Sequence, residues 1–191
     1  MKNLPHRHSL KALLFGVLLA STHSALAQAM ASAQRGAAIA PFALSTSVSP
    51  DWGPTKNIGY VIGLDYTRFI RSIVQPSLEV RYTRANGKTV NERMYAGGLK
   101  LATSIHGIEP YLTALVGHGN IDFVGATNGY NGDASMAYSL GAGVDLPVTR
   151  HIKLRLDMTQ QHWSFDPITL TPVSLSVGAS YIIPGHRGEV L

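Results

Sequence analysis

The chain has no cysteine, and charged residues make up only 14% of its 191 positions. The first absence excludes disulfide scaffolds, thiol catalysis, cysteine-bound zinc and a lipid carried on an N-terminal cysteine. The second sets the chain apart from ordinary soluble domains, in which about a quarter of residues are charged. No segment has the ~20 consecutive apolar residues of a membrane-spanning helix. A helical 3.6-residue apolar period never persists beyond a turn or two, so helices are not expected after the N-terminal region. What the chain does have is 19 glycines and eight tyrosines, set in segments of alternating polarity. Its length suits one domain or one small closed barrel.

The basic balance belongs mostly to the first residues. Lys2, Arg7 and Lys11 precede an apolar stretch from Ala12 to Ala20, and Ala25-Leu26-Ala27 offers small residues for cleavage. This is the layout of a secretory signal, expected over residues 1–27. Without those residues the net charge falls from +5 to +2, with 13 bases against 11 acids. No basic stripe remains, so nucleic acid is not an expected partner. Residues 28–38 read as a short extension and 184–191 as a C-terminal tail.

From residue 39 onward the chain reads as strands. Alternating segments cover 39–48, 58–69, 75–83, 93–104, 109–119, 134–146, 152–163 and 172–183. Each has about nine to thirteen residues, the length that crosses a bilayer as a tilted strand. The connections at 49–57, 84–91, 120–133 and 164–171 are long and carry loop chemistry such as Pro50-Asp51, Asn86-Gly87 and Asn128-Gly129. Those at 70–74, 105–108 and 147–151 are short. Long connections on one side and short ones on the other are the habit of outer membrane barrels.

Successive side chains along a strand point to opposite faces. In 152–163, Ile152, Leu154, Leu156 and Met158 share one parity, and Lys153, Arg155, Asp157 and Thr159 the other. Likewise Leu140 and Val144 oppose Ser139 and Asp145, and Leu175 and Val177 oppose Ser174 and Ser176. Segments 39–48 and 109–119 are ambiguous, because both parities are nearly equally apolar.

Alternation alone fits a soluble sandwich or ligand-binding barrel as well as a membrane barrel. Three features favour the membrane. The polar parity is mainly Gly, Ser, Thr and Ala, whereas a water-facing surface is about 25–35% charged. The charges on that parity balance, with Asp65, Glu79, Asp145 and Asp157 against Arg81, Lys100, Lys153 and Arg155; ions confined in a narrow interior must be paired. Aromatics collect near segment ends, with Tyr60, Tyr82, Tyr95, Tyr138 and Trp163 toward the long connections and Tyr66, Phe69, Tyr111 and Tyr181 toward the short ones. Two interfacial girdles have that arrangement. The expected fold is all-β, an eight-stranded antiparallel up-and-down transmembrane β-barrel over residues 39–183. The eight charged residues form a structural network in its lumen.

The stretches Glu109-Pro110-Tyr111-Leu112-Thr113-Ala114-Leu115-Val116-Gly117 and Ser139-Leu140-Gly141-Ala142-Gly143-Val144-Asp145-Leu146-Pro147, the latter followed by a polar turn and an Arg155/Asp157 strand, carry a resemblance. The chain resembles the small eight-stranded OmpA/OmpX-type outer membrane barrel proteins of Gram-negative bacteria. The resemblance implies an outer membrane location, contact with outer membrane lipids and lipopolysaccharide, and delivery by the barrel-assembly machinery. Such chains usually end on an aromatic that this machinery reads; here Pro184 to Leu191 follow Tyr181-Ile182-Ile183.

Eight strands enclose only enough space for side chains, whereas aqueous porin channels need about 16–18. A plugged, monomeric scaffold with a structural or adhesion-type surface role is therefore expected, its loop at 120–133 foremost. A small-solute pore and a soluble secreted β-domain with an internal ligand are the other readings. A further alternative is a lipid-A-modifying enzyme of the deacylase kind, which carries a His-x-Ser pair on a late strand. His162-Trp163-Ser164 has that pattern, with Asp166 nearby to orient the imidazole. The asparagines such enzymes use near the pair are missing, and no enzyme activity is expected. His106, His118, His151, His162 and His186 stand at no metal-ligand spacing, and no metal or cofactor is expected.

Overall fold

The computed structural model describes residues 37–49, 56–68, 73–124, 132–165 and 168–184, and every regular element among them is a β-strand. Strands β1 (Ala38–Ser49), β2 (Asn57–Thr67), β3 (Val74–Asn86), β4 (Val90–Thr103), β5 (Glu109–Phe123), β6 (Gly132–Pro147) and β7 (Ile152–Phe165) follow one another. The eighth strand, β8, is laid down in three pieces, Ile168–Leu170, Val173–Tyr181 and Ile183–Pro184. Each strand pairs antiparallel with the next, and β8 returns to β1 in a register running from Phe42↔Ser180 to Ser49↔Val173. The sheet thus closes into an eight-stranded barrel with no free edge. Pro172 interrupts β8 because it has no N–H for the ladder, yet its carbonyl still accepts from Gln161 N at 2.9 Å.

The exterior is apolar and the interior holds the charge. Leu140 is 67% exposed and Leu175 59%, while Arg155 is 1% exposed. Along β7, Leu154, Leu156 and Met158 face out and Arg155, Asp157 and Thr159 are buried. A soluble barrel would reverse these faces. This is therefore a transmembrane barrel, its outward side chains suited to acyl chains. The two ambiguous segments also resolve. In β1, Phe42, Leu44, Thr46 and Val48 turn inward; in β5, Tyr111, Thr113 and Leu115 do.

The upper connections are shorter than expected: β5 runs to Phe123 and β6 begins at Gly132, inside the loop expected at 120–133. Residues 84–91 were expected as a long loop, but β3 runs to Asn86 and β4 begins at Val90. A tight turn joins them, with Gly87 N donating to Val90 O at 3.0 Å and to Asn91 Oδ1 at 3.3 Å. A Cβ at Gly87 would collide with the Asn57 side chain, which packs against the turn there. β7 and β8 likewise extend into the expected loop, since Trp163 pairs with Leu170 and Phe165 with Ile168. Strand pairing continues above the apolar band because backbone groups there gain ladder partners whatever the side chains. We call this the upper rim. At the lower rim, His106 and Gly107 take positive φ values of 49° and 85° in a two-residue hairpin turn between the paired Ile105 and Ile108. The secretory signal of 1–27, the extension up to residue 36, the tail after 184, Phe69, Asp166 and loop residues 125–131 lie outside the described residues.

Placing a charge on the outer face tests this orientation directly. Leu140→Arg is expected to lower stability in lipid vesicles by about 2–4 kcal/mol if it lies near the midplane. Ser139→Leu, one residue along and inside, would instead disturb packing without a lipid-thickness dependence. Urea titration read by gel mobility in bilayers of two thicknesses separates the cases.

Candidate functional site

The lumen is where this chain concentrates its ionisable chemistry. Register pairs bring the first groups together, Asp65 beside Glu79 on β2 and β3 and Asp145 beside Arg155 on β6 and β7. The Arg155 guanidinium lies at the centre. Its Nε donates to Asp145 Oδ1 at 2.7 Å, and its Nη2 donates to Asp65 Oδ2 at 2.6 Å and Asp145 Oδ2 at 2.9 Å. Its Nη1 faces Glu79 Oε2 at 3.8 Å. Lys100 Nζ bridges the same two aspartates at 2.9 and 2.8 Å. One step higher, Arg81 donates from Nε to Glu79 Oε1 at 2.6 Å and reaches Asp157 Oδ1 from Nη1 at 3.2 Å. Tyr111 Oη and Thr159 Oγ1 donate to the same Asp157 carboxylate at 2.7 and 2.6 Å.

Two rings complete the cluster. Phe42 lies 4.4 Å from the Arg155 guanidinium carbon, and Tyr111 lies 4.2 Å from Lys100 Nζ. Cations over ring faces gain electrostatic attraction where water is excluded. The rings fit because glycines stand opposite them: a Cβ at Gly63 would strike Phe42, and one at Gly143 would strike Tyr111. Desolvated ions are tolerated here because each acid meets a base.

Seven of the eight sequence-predicted residues meet in this cluster: Asp65, Glu79, Arg81, Lys100, Asp145, Arg155 and Asp157. Lys153 does not join it. It pairs instead with Glu109 near the lower rim, because it stands one strand step below Arg155. The central cluster therefore contains four carboxylates and three bases, and with the Lys153–Glu109 pair the count becomes five acids against four bases, so the even balance expected from the sequence is not met. Glu109 shares its inward parity with Tyr111, a signal that the ambiguous strand pattern hid.

Two girdle assignments are also corrected. Tyr111 and Trp163 face the lumen, at 3% and 1% exposure. The parity that turns His162 and Ser164 outward necessarily turns Trp163 inward. There it donates from Nε1 to Gln161 Oε1 at 2.8 Å and joins Val90, Met94, Leu115, Ile121 and Leu170 in an apolar layer filling the upper lumen. A cavity of about 370 Å³ remains at the lower rim, with Asp65, Lys100, Asp145 and Arg155 among its lining residues.

His162 and Ser164 are both exposed on the outer face of β7, toward the upper rim. The Ser164 backbone carbonyl accepts from Ser135 Oγ on β6. Among the described residues no hydrogen bond joins the His162 and Ser164 side chains. No group of three potential metal ligands occurs among the described residues.

Removing the central cation leaves buried carboxylates without their partner. Arg155→Met is expected to destabilise the barrel by about 3–5 kcal/mol. Combining it with Asp145→Leu should recover part of that loss, because one stranded charge leaves with the cation. Equilibrium unfolding of both variants in detergent micelles measures the difference.

No family model matches the chain, and no curated protein does. Solved structures do. Neisserial surface protein A is 18% identical, with a TM-score of 0.55 over 76% of this chain and 96% of its own. The N-terminal barrel domain of Pseudomonas aeruginosa OprF is 13% identical, also at 0.55, over 76% of this chain and 97% of that one. The Yersinia pestis attachment invasion locus protein Ail, in complex with the heparin analogue sucrose octasulfate, is 14% identical at 0.50, over 78% and 99%. These likenesses are of architecture, and they agree with the inverted polarity and closed register described above. The chain has the fold of the small eight-stranded outer membrane β-barrels.

Proposed function

We propose that this protein is a monomeric outer membrane scaffold that presents its upper connections to the cell's surroundings, and that it neither conducts solutes nor catalyses a reaction. The observation that carries this reading is the filled lumen. A charged layer built around Arg155 lies below an apolar layer built around Trp163, and side chains from all eight strands enter one or the other. An interior of this width leaves no continuous water path once such side chains occupy it. The charged groups are engaged with one another, which suits a structural plug better than a catalytic centre. Export through the N-terminal signal and insertion by the barrel-assembly machinery complete the reading. Surface contact falls to the upper connections, chiefly the one between β5 and β6, whose Asn, Gly and Tyr content suits adaptable polar recognition.

Planar-bilayer recording of the purified barrel should show no steady conductance above the lipid background. A large, lasting conductance would contradict the filled lumen. Replacing residues 125–131 with a short Gly-Ser turn should leave heat-modifiable gel mobility unchanged and weaken adhesion of cells displaying the protein.

The lipid-modifying alternative draws support from one observation, the shared outward placement of His162 and Ser164 toward the upper rim. It requires the lipid A mass spectrum of expressing cells to change with the protein and revert with Ser164→Ala. The scaffold reading expects identical spectra for the wild type, Ser164→Ala and a strain without the protein.

A further inference from the structure

The upper rim is electrically lopsided. Among the described residues, the bases there are Lys56 just before β2, Arg84 on β3, Lys88 in the turn after it and Arg93 on β4. The described upper halves of β5 to β8 and β1 carry no lysine or arginine, and their outward positions include Asp122, Gln160, Ser45 and Ser47.

On the basic flank three layers are stacked in register. Arg84 on β3 and Arg93 on β4 are direct partners across the sheet and point outward. The partners next below are Tyr82 and Tyr95, their ring centres 4.7 Å apart, and Tyr60 on β2 adds a ring 6.1 Å from Tyr82. Below these come Val80 and Gly97, again partners. Gly97 leaves a dent in the outer wall, bordered by Ile62, Leu64, Val80, Tyr82 and Tyr95, that forms a shallow apolar groove. A Cβ at Gly97 would meet nothing closer than Val80 Cγ1 at 3.5 Å, so the dent is open space and not a packing necessity.

The heights fit a membrane boundary. The outward residues of β3 are apolar or aromatic from Val74 to Tyr82 and become cationic at Arg84. Ten residues of tilted strand rise roughly 25 Å, the height of the apolar band of such barrels. Tyrosines belong at that interface, and an arginine costs little there. The two guanidinia are also available. Arg84 is exposed and makes only a long contact from Nε to Asn86 Oδ1 at 3.5 Å. Arg93 donates from Nη2 to Asp122 Oδ2 at 2.7 Å, which holds its fork in place while 42% of the side chain stays exposed. Among the described residues, Arg84, Arg93 and the turn residue Lys88 stand with Asp122 on this outer flank, while the buried Glu92 accepts from Asn57 Nδ2.

We propose that this flank is a lipid subsite: a lipid of the upper leaflet that carries a phosphate monoester lays an acyl chain in the Gly97 groove, passes the tyrosine collar and places its phosphate between Arg84 and Arg93. The chain, interface and phosphate of such a lipid descend in the same order as the groove, rings and cations. Two adjacent guanidinium forks match the three terminal oxygens of a dianionic phosphate monoester, which a zwitterionic phosphodiester headgroup such as phosphocholine lacks. The inference rests on the transmembrane reading of the barrel. It does not depend on which compartment the upper rim faces or on what the upper connections bind.

The test is retention of lipid by the intact barrel in mixed micelles, counted by native mass spectrometry, with bisphosphorylated lipid A and phosphatidylcholine as probes. The wild type should retain one lipid A in preference to phosphatidylcholine. R84Q/R93Q should retain it at least about tenfold more weakly, and Gly97→Phe, which fills the groove but spares both arginines, should also weaken it. Heat-modifiable mobility checks that both variants remain folded. Equal retention of phosphatidylcholine, unchanged retention by R84Q/R93Q, or release by inorganic phosphate alone would each overturn the proposal. Conductance and adhesion are read separately, so failure here leaves the scaffold reading standing.

Discussion

In a barrel of eight strands immersed in lipid, an ionised side chain can avoid hydrocarbon only by turning inward, where almost no water awaits it. Every other feature of this molecule follows from that constraint. Burial of a carboxylate at the level of Asp65, Glu79, Asp145 or Asp157 is tolerable only against a base held at hydrogen-bond distance. Arg155 meets the condition for two of them at once, and Arg81 and Lys100 meet it for the others and again for the same pair. The scarcity of charge in the sequence and its confinement to one strand parity are two faces of this requirement.

Space is the companion constraint. A guanidinium with aromatic rings cannot share a ring of eight positions with further large side chains, so glycine, serine and threonine occupy the rest. Gly63 makes room for Phe42, Gly143 for Tyr111 and Gly119 for Trp163. The lumen is layered for the same reason. Charged groups pair with one another in the middle, and the apolar group around Trp163 sits above them. On the proposed scaffold reading such an interior is a plug, and the connections and the outer wall are the surfaces that meet the surroundings.

Much of this was legible in the amino-acid order, because a period of two is the strongest signal that a half-buried strand can carry. β7 shows it without ambiguity, and the inward and outward sets of 154–159 follow from it directly. The signal weakened where both parities were apolar. In β1 the inward Phe42, Leu44 and Val48 belong to the dry part of the lumen, where hydropathy no longer separates inside from outside. Residue type alone does not place Trp163 and Tyr111, because tyrosine and tryptophan suit an interface and a core equally well; in β7 the alternation that turns Arg155 and Asp157 inward also turns Trp163 inward. Lys153 was grouped with the central cluster by sign and parity, which say nothing of height along the barrel axis. Its partner, Glu109, is adjacent only through the register of three strands. The tight turn at Asn86-Gly87 escaped for a related reason: polar residues above the membrane continue the ladder as readily as apolar ones within it.

The central claim is the orientation of the two faces, and β8 offers the cleanest place to measure it. Inward Ser174, Ser176 and Ser180 are small, outward Leu175, Val177 and Tyr181 are exposed, and the chain has no native cysteine to compete for a label. Single cysteines introduced at each residue from 173 to 181 and spin-labelled in lipid bilayers report contact with oxygen, which partitions into acyl chains, and with a water-soluble nickel complex. The structure predicts high oxygen contact at 175, 177, 179 and 181 and low contact with both reagents at 174, 176 and 180. Labels at 175 and 177 shielded from oxygen, with those at 174 and 176 open to the nickel complex, would mean that the apolar face is the inside and the account is wrong.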